Sequence, residues 1–496
     1  MATFTGTDGA DVIDGTNDDD VIDGVLGADT LNGNDGNDTF VFTAVMVTTQ
    51  TLPFGAINGG AGTDTVDASH ISPTWLFGWT ADALELRVGS QYFTVREVEQ
   101  FVFGSGDDRI SLLNWASDLT IWTGAGRDHI ESKAGADVIY AGADDDFLSG
   151  GIGDRLYGEA GDDRLAVSGA FGVPEGHGVV DGGQGRDVLW ANISSVIDLT
   201  TGEMSAGSAH WLVSGIEDIE AVVSFGYSAT AIGDAANNRL TAVNTIAGTT
   251  SGGVVFDGRD GDDILKGHLG SDLLSGGEGD DTLIGGGHDA SAPDYFFGGT
   301  GDDTYVVNSA MTGAQDLVDE GEGLPSLAGG AGDVDTIISQ GALFWDFYSV
   351  GEILQIDRAE GGQMVGGKNV LNKTITGGSG NDVILTYGRS SVVDGGAGID
   401  AISFELYGLD ESYDGVNTVV MKPGNDIDYV YGFESGVDKV DLTAFGYGLT
   451  GEQWKAFLVD VDYGDEDYCF LYLGQPGQFL VFLNTTSSQL SAGDFL

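Results

Sequence analysis

A nine-residue unit repeats through most of this 496-residue chain, and its register constrains the fold more than any other feature of the sequence. The unit reads approximately G-G-x-G-x-D-x-U-x, where U is a large apolar residue. Near the N-terminus the position-6 aspartates follow one another at intervals of nine, at Asp11, Asp20, Asp29 and Asp38. The chain holds roughly twenty such units, and a fixed period on this scale is the signature of a repeat architecture.

The spacing of glycine and apolar residues predicts an all-β solenoid. Six turn residues precede three strand residues in each unit, and glycine allows the positive φ and close backbone approach that a tight turn needs. Position 8 points inward, while positions 7 and 9 point outward. Two units therefore make one coil of about 18 residues, and stacked coils form two parallel sheets around a thin apolar core.

The repeats fall into blocks that are separated by stretches alternating apolar and polar residues, which favours strands and turns. Weaker single units lie near Gly329, Gly377 and Gly395. Helical periodicity is scarce, and Leu449 to Leu458 predicts one short helix. The predicted segments are an N-terminal repeat block (1–67), a β spacer (68–102), a second block (103–190), a spacer with a degenerate repeat (191–257), a third block (258–306), a spacer with isolated repeats (307–403) and a C-terminal cap (404–496).

The charge of the chain points to cations as partners. The formal net charge is −61, with 79 acidic and only 18 basic residues, so nucleic acid and anionic membrane surfaces should be repelled. Stacked coils lie about 4.8 Å apart, which brings Asp20 of one coil close to Asp38 of the next. Unpaired carboxylates at that spacing repel one another. Ca²⁺ accepts carboxylate and carbonyl oxygens together, so calcium should make an expanded chain compact.

The repeats resemble a known family of calcium-binding sequences. GGEGDDTLI, GGTGDDTYV, GGSGNDVIL and GGAGIDAIS are similar to the RTX (repeats-in-toxin) nonapeptide. The resemblance implies a parallel β-roll that holds roughly ten to twenty Ca²⁺ ions between successive turns through the position-6 aspartates. The ligands it implies are Asp11, Asp20, Asp29, Asp38, Asp64, Asp108, Asp128, Asp137, Asp146, Asp163, Asp187, Asp263, Asp272, Asp281, Asp303, Asp382 and Asp400.

Some units depart from the family pattern. Asn238 replaces the position-6 aspartate of its unit, and the unit at Gly150, which contains Asp154, is one residue short. The unit before Asp294 carries the insertion HDASAPD. Arg127 and Arg186 occupy position 5, where we expect a salt bridge to replace a weak acidic ligand.

The C-terminal region carries a second resemblance. Residues 428–448 are similar to the segment after the β-roll of serralysin-type secreted proteins, and Asp494, Phe495 and Leu496 resemble the end of a type I secretion signal. The N-terminus has no Sec-type signal, and no apolar run is long enough for a transmembrane helix. The resemblance implies export of an unfolded chain by type I secretion, followed by folding outside the cell or at its surface. Cys469 is the single cysteine, so no intrachain disulfide can form, and calcium is expected to stabilise the fold instead.

Motifs of familiar enzymes are absent from the sequence. There is no H-E-x-x-H of a metalloprotease and no G-x-S-x-G of a lipase. The six histidines share no ligand spacing, and Cys469 is best interpreted as a buried strand residue. Adjacent carboxylates such as Asp280 and Asp281 fit positions 5 and 6 of a calcium turn better than a glycosidase pair. The sequence therefore predicts no catalytic residue and a protein that is not an enzyme.

The main functional prediction is a secreted, calcium-dependent structural protein that assembles with itself into a surface layer, filament or extracellular matrix. One alternative is an adhesin that binds carbohydrate, including cell-surface polysaccharide, through aromatic residues of the spacers. Another is a polysaccharide lyase or epimerase on the β-solenoid. Core packing remains the simplest interpretation of the eight tryptophans.

Overall fold

The computed structural model describes most of the chain. The residues outside the description are 44–54, 72–73, 81–82, 89–90, 114, 168–175, 192–195, 224–227, 244–251, 287–293, 308–316, 320–335, 340–352, 357–362, 366–373, 379, 387–389, 405–414, 425–426, 448–452, 463–466 and 475–476. The weak unit near Gly329 and nearly all of the insertion before Asp294 fall in these gaps.

The chain divides into two compact units. The first comprises Met1–Val223, Tyr227–Asp234 and Asn238–Thr245, and the second comprises Ser224–Gly226, Ala235–Asn237 and Ile246–Leu496. Across the described residues the regular structure is β-strand with three short 3₁₀ helices, Thr443–Phe445, Gln453–Phe457 and Ala492–Asp494. The prediction of an all-β fold built on parallel sheets is confirmed. None of the helices in the described part of the chain has the length and apolar character of a membrane span.

Two long ladders form the first unit. One joins Thr3–Thr5, Val21–Asp23, Thr39–Val41, Thr65–Asp67, Gln100–Val102, Thr120–Ala125, Val138–Ala143, Arg155–Ala160, Gly176–Gln184, Ala209–Ser214, Glu203–Ala206, Val196–Asp198 and Thr230–Ile232. The other joins Val12–Asp14, Thr30–Asp35, Gly55–Ala61, Gln91–Arg96, Ala83–Val88, Thr74–Thr80, Arg109–Leu112, His129–Ser132, Phe147–Gly150, Arg164–Val167, Val188–Ala191, Asp218–Val222 and Arg239–Val243. Successive strands of the chain alternate between the two ladders through the repeats, as a solenoid requires.

The first two spacers join these ladders as antiparallel strands. In the first spacer, Ala83–Val88 pairs antiparallel with both Thr74–Thr80 and Gln91–Arg96. In the second, Glu203–Ala206 pairs antiparallel with both Val196–Asp198 and Ala209–Ser214. The outer strands of each group then pair in parallel with repeat strands. The spacers therefore extend the same two sheets instead of interrupting them.

Three ladders form the second unit. The first joins Val255–Asp260, Leu273–Glu278, Tyr295–Thr300 and Leu317–Asp319. The second joins Ile264–Lys266, Thr282–Ile284, Thr304–Val307, Thr336–Ser339, Ile353–Ile356, Thr374–Thr376, Val392–Asp394, Thr418–Val420 and Lys439–Asp441. The third joins Gln363–Val365, Val383–Leu385, Ile399–Ser403, Ile427–Tyr431, Phe479–Leu483, Asp467–Tyr472 and Leu458–Asp462. Parallel coils thus continue beyond residue 404, and only the last two strands of the third ladder are antiparallel.

The core consists of the position-8 side chains. Ile22, Leu31, Phe40, Leu274 and Leu283 each expose at most 1% of their surface. Each coil supplies two such side chains, and burial of each contributes about 1.5–3 kcal/mol. The burial of two side chains does not offset the conformational entropy that one coil loses on folding. Stability therefore accumulates only as coils stack.

The short helix predicted at Leu449 to Leu458 is partly described. Residues 449–452 lie outside the described part of the chain, and Gln453–Phe457 forms a 3₁₀ helix that buries Trp454.

Candidate metal centre

The position-6 aspartates stand in columns that run from coil to coil. The backbone N–H of Asp20 donates to Oδ1 of Asp38 at 2.8 Å, and the N–H of Asp38 donates to Oδ1 of Asp64 at 2.8 Å. Glu99 ends this column, because its Oε2 accepts the N–H of Asp64 at 2.9 Å. One carboxylate oxygen of each aspartate is thus used to fix the register between two coils.

The same contact recurs in every block. The second block forms the column Asp108, Asp128, Asp146, Asp163 and Asp187, which ends at Glu217. The remaining contacts link Asp11 with Asp29, Asp137 with Asp154, Asp263 with Asp281, Asp281 with Asp303, Asp272 with Asp294, and Asp382 with Asp400. All of the aspartates predicted as ligands therefore stand in columns. Their role as calcium ligands stays a prediction.

Several column members were not in the predicted set. Asp154 and Asp294 accept N–H bonds like the others despite their irregular units. The N–H of Ser391 donates to Asn417, and the N–H of Asn417 donates to Asp438 at 2.9 Å. The signal for Asp438 lies in GFESGVDKVD, which places glycine, aspartate and valine at positions 4, 6 and 8.

Many of the second carboxylate oxygens are buried without a hydrogen-bond partner. Examples in the described residues are Oδ2 of Asp38, Asp64, Asp146, Asp163 and Asp281. Burial raises the pKa of Asp146 to about 8, and backbone donation from Asp128 offsets this only partly. Burial likewise raises the pKa of Asp281 to about 8. A buried anion without a counter-charge is costly, so this arrangement requires a cation or a proton at each such oxygen.

Position-1 glycines leave the space that a cation would use. A Cβ at Gly33 would collide with Oδ2 of Asp38 and with the carbonyl oxygen of Gly59 on the following coil. A Cβ at Gly158 would collide with Oδ2 of Asp163 and the carbonyl oxygen of Gly182 in the same way. A carboxylate oxygen and a carbonyl oxygen thus face one small space without a side chain in it.

The donor set fits Ca²⁺. No group of three or more His, Cys, Asp or Glu residues converges on one point within the described residues. A bound ion would therefore depend on single carboxylates supplemented by backbone carbonyls. Calcium takes six to eight such oxygen ligands, whereas zinc prefers nitrogen and sulfur ligands. When bound, Ca²⁺ supplies the positive charge that the aspartate columns lack.

A second column lies at position 5 and runs in the opposite direction. Oδ1 of Asp19 accepts the N–H of Asn37 on the next coil at 2.8 Å, and Oδ1 of Asn37 accepts the N–H of Thr63 at 2.8 Å. Equivalent acceptors are Asp107, Asp118, Asp145, Asp162, Asn237, Asp262, Asp280 and Asn381. The sequence predicted only a weak acidic ligand at position 5, although the enrichment of this position in Asp and Asn was a usable signal for a second column.

Arginine at position 5 forms ion pairs, as predicted. Arg127 Nη2 lies 2.8 Å from Oδ2 of Asp145 on the next coil. Arg186 contacts Asp218 through both Nη2 and Nε, at 2.5 and 3.1 Å. The Arg127 pair is exposed, so its contribution to stability is at most about 1 kcal/mol.

Comparison with known proteins agrees with this geometry. The family model of the RTX calcium-binding nonapeptide repeat matches residues 5–40, 122–154, 154–169 and 257–287. This chain carries RTX calcium-binding repeats. RTX nonapeptide repeats bind Ca²⁺, and the matched stretches contain members of the aspartate columns from each of the three repeat blocks. No curated protein matches the chain.

One similar solved structure is the extracellular lipase LipA from Serratia marcescens. It shares 14% identity over 79% of this chain and 44% of the lipase chain, with a TM-score of 0.16. The RTX chain therefore spans less than half the length of that lipase. At this TM-score the likeness carries no argument about activity.

Two residues outside the aspartate columns, Cys469 and His129, belong to the residue types that could act in catalysis. Cys469 lies in the strand Asp467–Tyr472 with no exposed surface, as predicted, and burial raises the pKa of its thiol to about 12. A thiol with that pKa stays protonated and is a poor nucleophile. His129 stacks on Phe147 and lies 3.2 Å from Glu131 on the sheet surface.

Proposed function

We propose that this RTX protein is secreted, folds on binding Ca²⁺ outside the cell, and assembles with itself into a layer, filament or matrix. The observation that carries the folding step is the set of buried Oδ2 atoms in the aspartate columns. Several of those oxygens, such as Oδ2 of Asp38, Asp64 and Asp146, lack hydrogen-bond partners in the folded geometry, so a bound cation would make folding more favourable. Extracellular calcium sites work at about 10⁻⁴–10⁻³ M, so sites of that affinity would fill only after export.

The C-terminal residues support export before folding. Phe495 stacks on Trp454 with ring centroids 4.1 Å apart, and Asp494 is fully buried. Oδ1 of Asp494 accepts the N–H of Gly436 at 2.8 Å, and its Oδ2 accepts the Ser435 hydroxyl at 2.6 Å. Two of the three residues that resemble a secretion signal, Asp494 and Phe495, are thus packed in the folded chain. A transporter could read them only while this region is unfolded.

An exposed apolar stripe supports lateral association. Val255, Leu273 and Tyr295 face one another on neighbouring strands and remain 39%, 36% and 38% exposed. We propose a second copy of the chain as the partner of this stripe. Two chains of net charge −61 repel each other, and bound Ca²⁺ would reduce that repulsion, so association should follow calcium binding.

Particle size in EGTA and in 10 mM Ca²⁺, measured by light scattering and negative-stain microscopy, tests assembly. We expect large particles only with calcium, and fewer of them for Leu273→Ser combined with Tyr295→Ser. Thr282→Ser, at position 7 of a strand in the other ladder, is the matched control. A compact calcium-bound monomer at high protein concentration would overturn the assembly step and leave calcium-coupled folding intact.

A carbohydrate-binding adhesin is the second candidate, and one observation favours it. Trp122, Tyr140 and Tyr157 stack on three successive coils, with ring centroids 5.7 and 4.8 Å apart. These half-buried rings form a continuous aromatic strip on the outer face of a sheet, a surface that can hold a sugar chain. Glycan-array binding that Trp122→Ala abolishes would favour the adhesin, and no binding would leave the strip with a packing role.

A further inference from the structure

The residue at position 2 distinguishes two classes among the turns of the repeat. In the first class this residue has a positive φ and belongs to the parallel ladder. Asn34 pairs with Gly60, Glu159 with Gly183, and Gly277 with Gly299. The position-2 residues with positive φ in six such turns are Asn34, Gly60, Gly142, Glu159, Gly183 and Gly277. We call these the open turns.

Every one of these six open turns contains a buried carboxylate oxygen without a hydrogen-bond partner. The oxygens are Oδ2 of Asp38, Asp64, Asp146, Asp163, Asp187 and Asp281. Each of these side chains is at least nine-tenths buried, and the most exposed, Asp146, exposes 4%. Glu159 adopts its left-handed backbone at φ 75° although a side chain disfavours it by about 1–2 kcal/mol. The turn is therefore held in this conformation by its surroundings.

In the second class the turn satisfies its own carboxylate. The position-2 N–H donates to Oδ2 of the aspartate of the same unit, from Thr16 to Asp20 at 2.7 Å and from His268 to Asp272 at 2.7 Å. Gly378 makes this contact with Asp382 at 2.8 Å. The preceding strand ends before position 1, as Ile264–Lys266 does, so the position-2 backbone is free to turn toward the carboxylate. We call these the closed turns.

A closed turn forms without a negative charge at position 6. The degenerate unit with Asn238 at position 6 keeps the same contact, because the N–H of Asp234 at position 2 donates to Oδ1 of Asn238 at 2.8 Å. The side-chain amide of Asn238 then donates to the carbonyl oxygen of Glu217 at 3.1 Å. A neutral amide thus replaces the carboxylate in a closed turn, whereas all six open turns have aspartate.

We propose that the open turns are the calcium sites of this chain and that the closed turns form without an ion of their own. An open turn presents a buried carboxylate oxygen without a hydrogen-bond partner, where a cation would supply the missing counter-charge. A closed turn already satisfies that oxygen through its own backbone N–H. The number of bound ions is therefore smaller than the number of position-6 aspartates. This inference rests on calcium binding by the RTX repeats and is independent of assembly.

Bound calcium per chain, counted in the full-length protein, tests the partition. The count is made by native mass spectrometry and by metal analysis after equilibrium dialysis at a fixed millimolar free Ca²⁺. The matched variants are Asp281→Asn in an open turn and Asp272→Asn in the adjacent closed turn. Asparagine keeps an oxygen for the contact with Asp263 and removes only the second carboxylate oxygen. We expect Asp281→Asn to lose one ion and Asp272→Asn to hold the wild-type number.

A second pair of variants, in the other compact unit, controls for local misfolding caused by a substitution. Asp38→Asn is the open-turn variant and Asp20→Asn the closed-turn variant, and circular dichroism at saturating Ca²⁺ verifies folding of all four. Loss of one ion by both members of a pair, or by neither, would overturn the partition. Unchanged counts in all four would do the same, while leaving calcium binding by the repeats in place.

Discussion

At position 1 of the repeat, one methyl group would occupy the space between a carboxylate and a carbonyl oxygen. Gly158 is such a position, because an added Cβ would collide with Oδ2 of Asp163 and the carbonyl oxygen of Gly182. The glycine is retained here for space and not for a left-handed backbone. Its replacement therefore tests the calcium cavity without a change in charge.

Gly158→Ala should weaken calcium binding in the second block. Displacing a ligand oxygen costs on the order of 1–3 kcal/mol, which is about a 5-fold to 150-fold loss of affinity at that site. Isothermal titration with Ca²⁺ measures this. Gly9→Ala is the control, since its Cβ would meet only Oγ1 of Thr7 at 3.8 Å. Equal affinities for both variants would contradict the assignment of this space to the ion.

Position 5 carries a different chemistry from position 6. Oδ1 of Asp280 accepts the N–H of Asp302 on the next coil at 2.9 Å. Asn37 and Asn237 make the equivalent contact, so the acceptor oxygen matters and the charge does not.

Asp280→Asn should therefore leave stability nearly unchanged, and Asp280→Ala should lower it by about 0.5–1.5 kcal/mol. Urea unfolding at saturating Ca²⁺ measures both variants. A loss with asparagine as large as that with alanine would show that the Asp280 charge itself is used.

At the scale of elements, the repeats were predictable and the spacers were not. A fixed nine-residue period sets the turn, the strand and the inward position together, so the core residues Leu274 and Leu283 followed directly from the sequence. The spacer Ala83–Val88 alternates like any strand, and alternation does not reveal whether its partner runs parallel or antiparallel. The coil that holds Asp438 was missed because Phe433 and Glu434 stand where the repeat has its first two glycines.

The candidate site was also predictable from the sequence only in part. Its aspartates came from the sequence, because the glycine pattern fixes position 6. The distinction between open and closed turns did not come from the sequence. The two classes differ in the φ of the position-2 residue, and Asn34, Glu159 and several glycines all adopt a positive φ there. In open turns such as those of Asn34 and Glu159 the preceding strand continues through position 2, whereas Ile264–Lys266 ends before position 1 of a closed turn.

The C-terminal element gives a prediction of its own. Asp494 also accepts bonds from the N–H and hydroxyl of Ser491, both at 2.7 Å. Burial raises the pKa of Asp494, but the hydroxyl of Ser435 together with the Ser491 and Gly436 contacts holds that pKa below its usual value. Asp494→Ala should destabilise the second compact unit by about 1–3 kcal/mol. Denaturant unfolding measures the loss, and a double-mutant cycle with Ser435→Ala isolates their contact. Additive effects of the two changes would contradict the coupling.

At the scale of the whole molecule, net charge decides between an expanded chain and a compact fold. A net charge of −61 on 496 residues favours an expanded chain, while the apolar position-8 residues favour collapse. The aspartate columns place the repulsion inside the turns, where salt screens it least. Calcium in the open turns acts directly on that repulsion, so folding and ion binding should be one cooperative event.

The hydrodynamic radius and the far-ultraviolet circular dichroism of the full chain, recorded in EGTA and then in 10 mM Ca²⁺, test this account most directly. We predict an expanded chain with little β-structure in EGTA, and a compact chain with a strong β-signal once calcium is added. Magnesium at the same concentration should not substitute, because it demands a small octahedral shell and gives up its water reluctantly. A chain that is equally compact and β-structured in EGTA would contradict calcium-coupled folding.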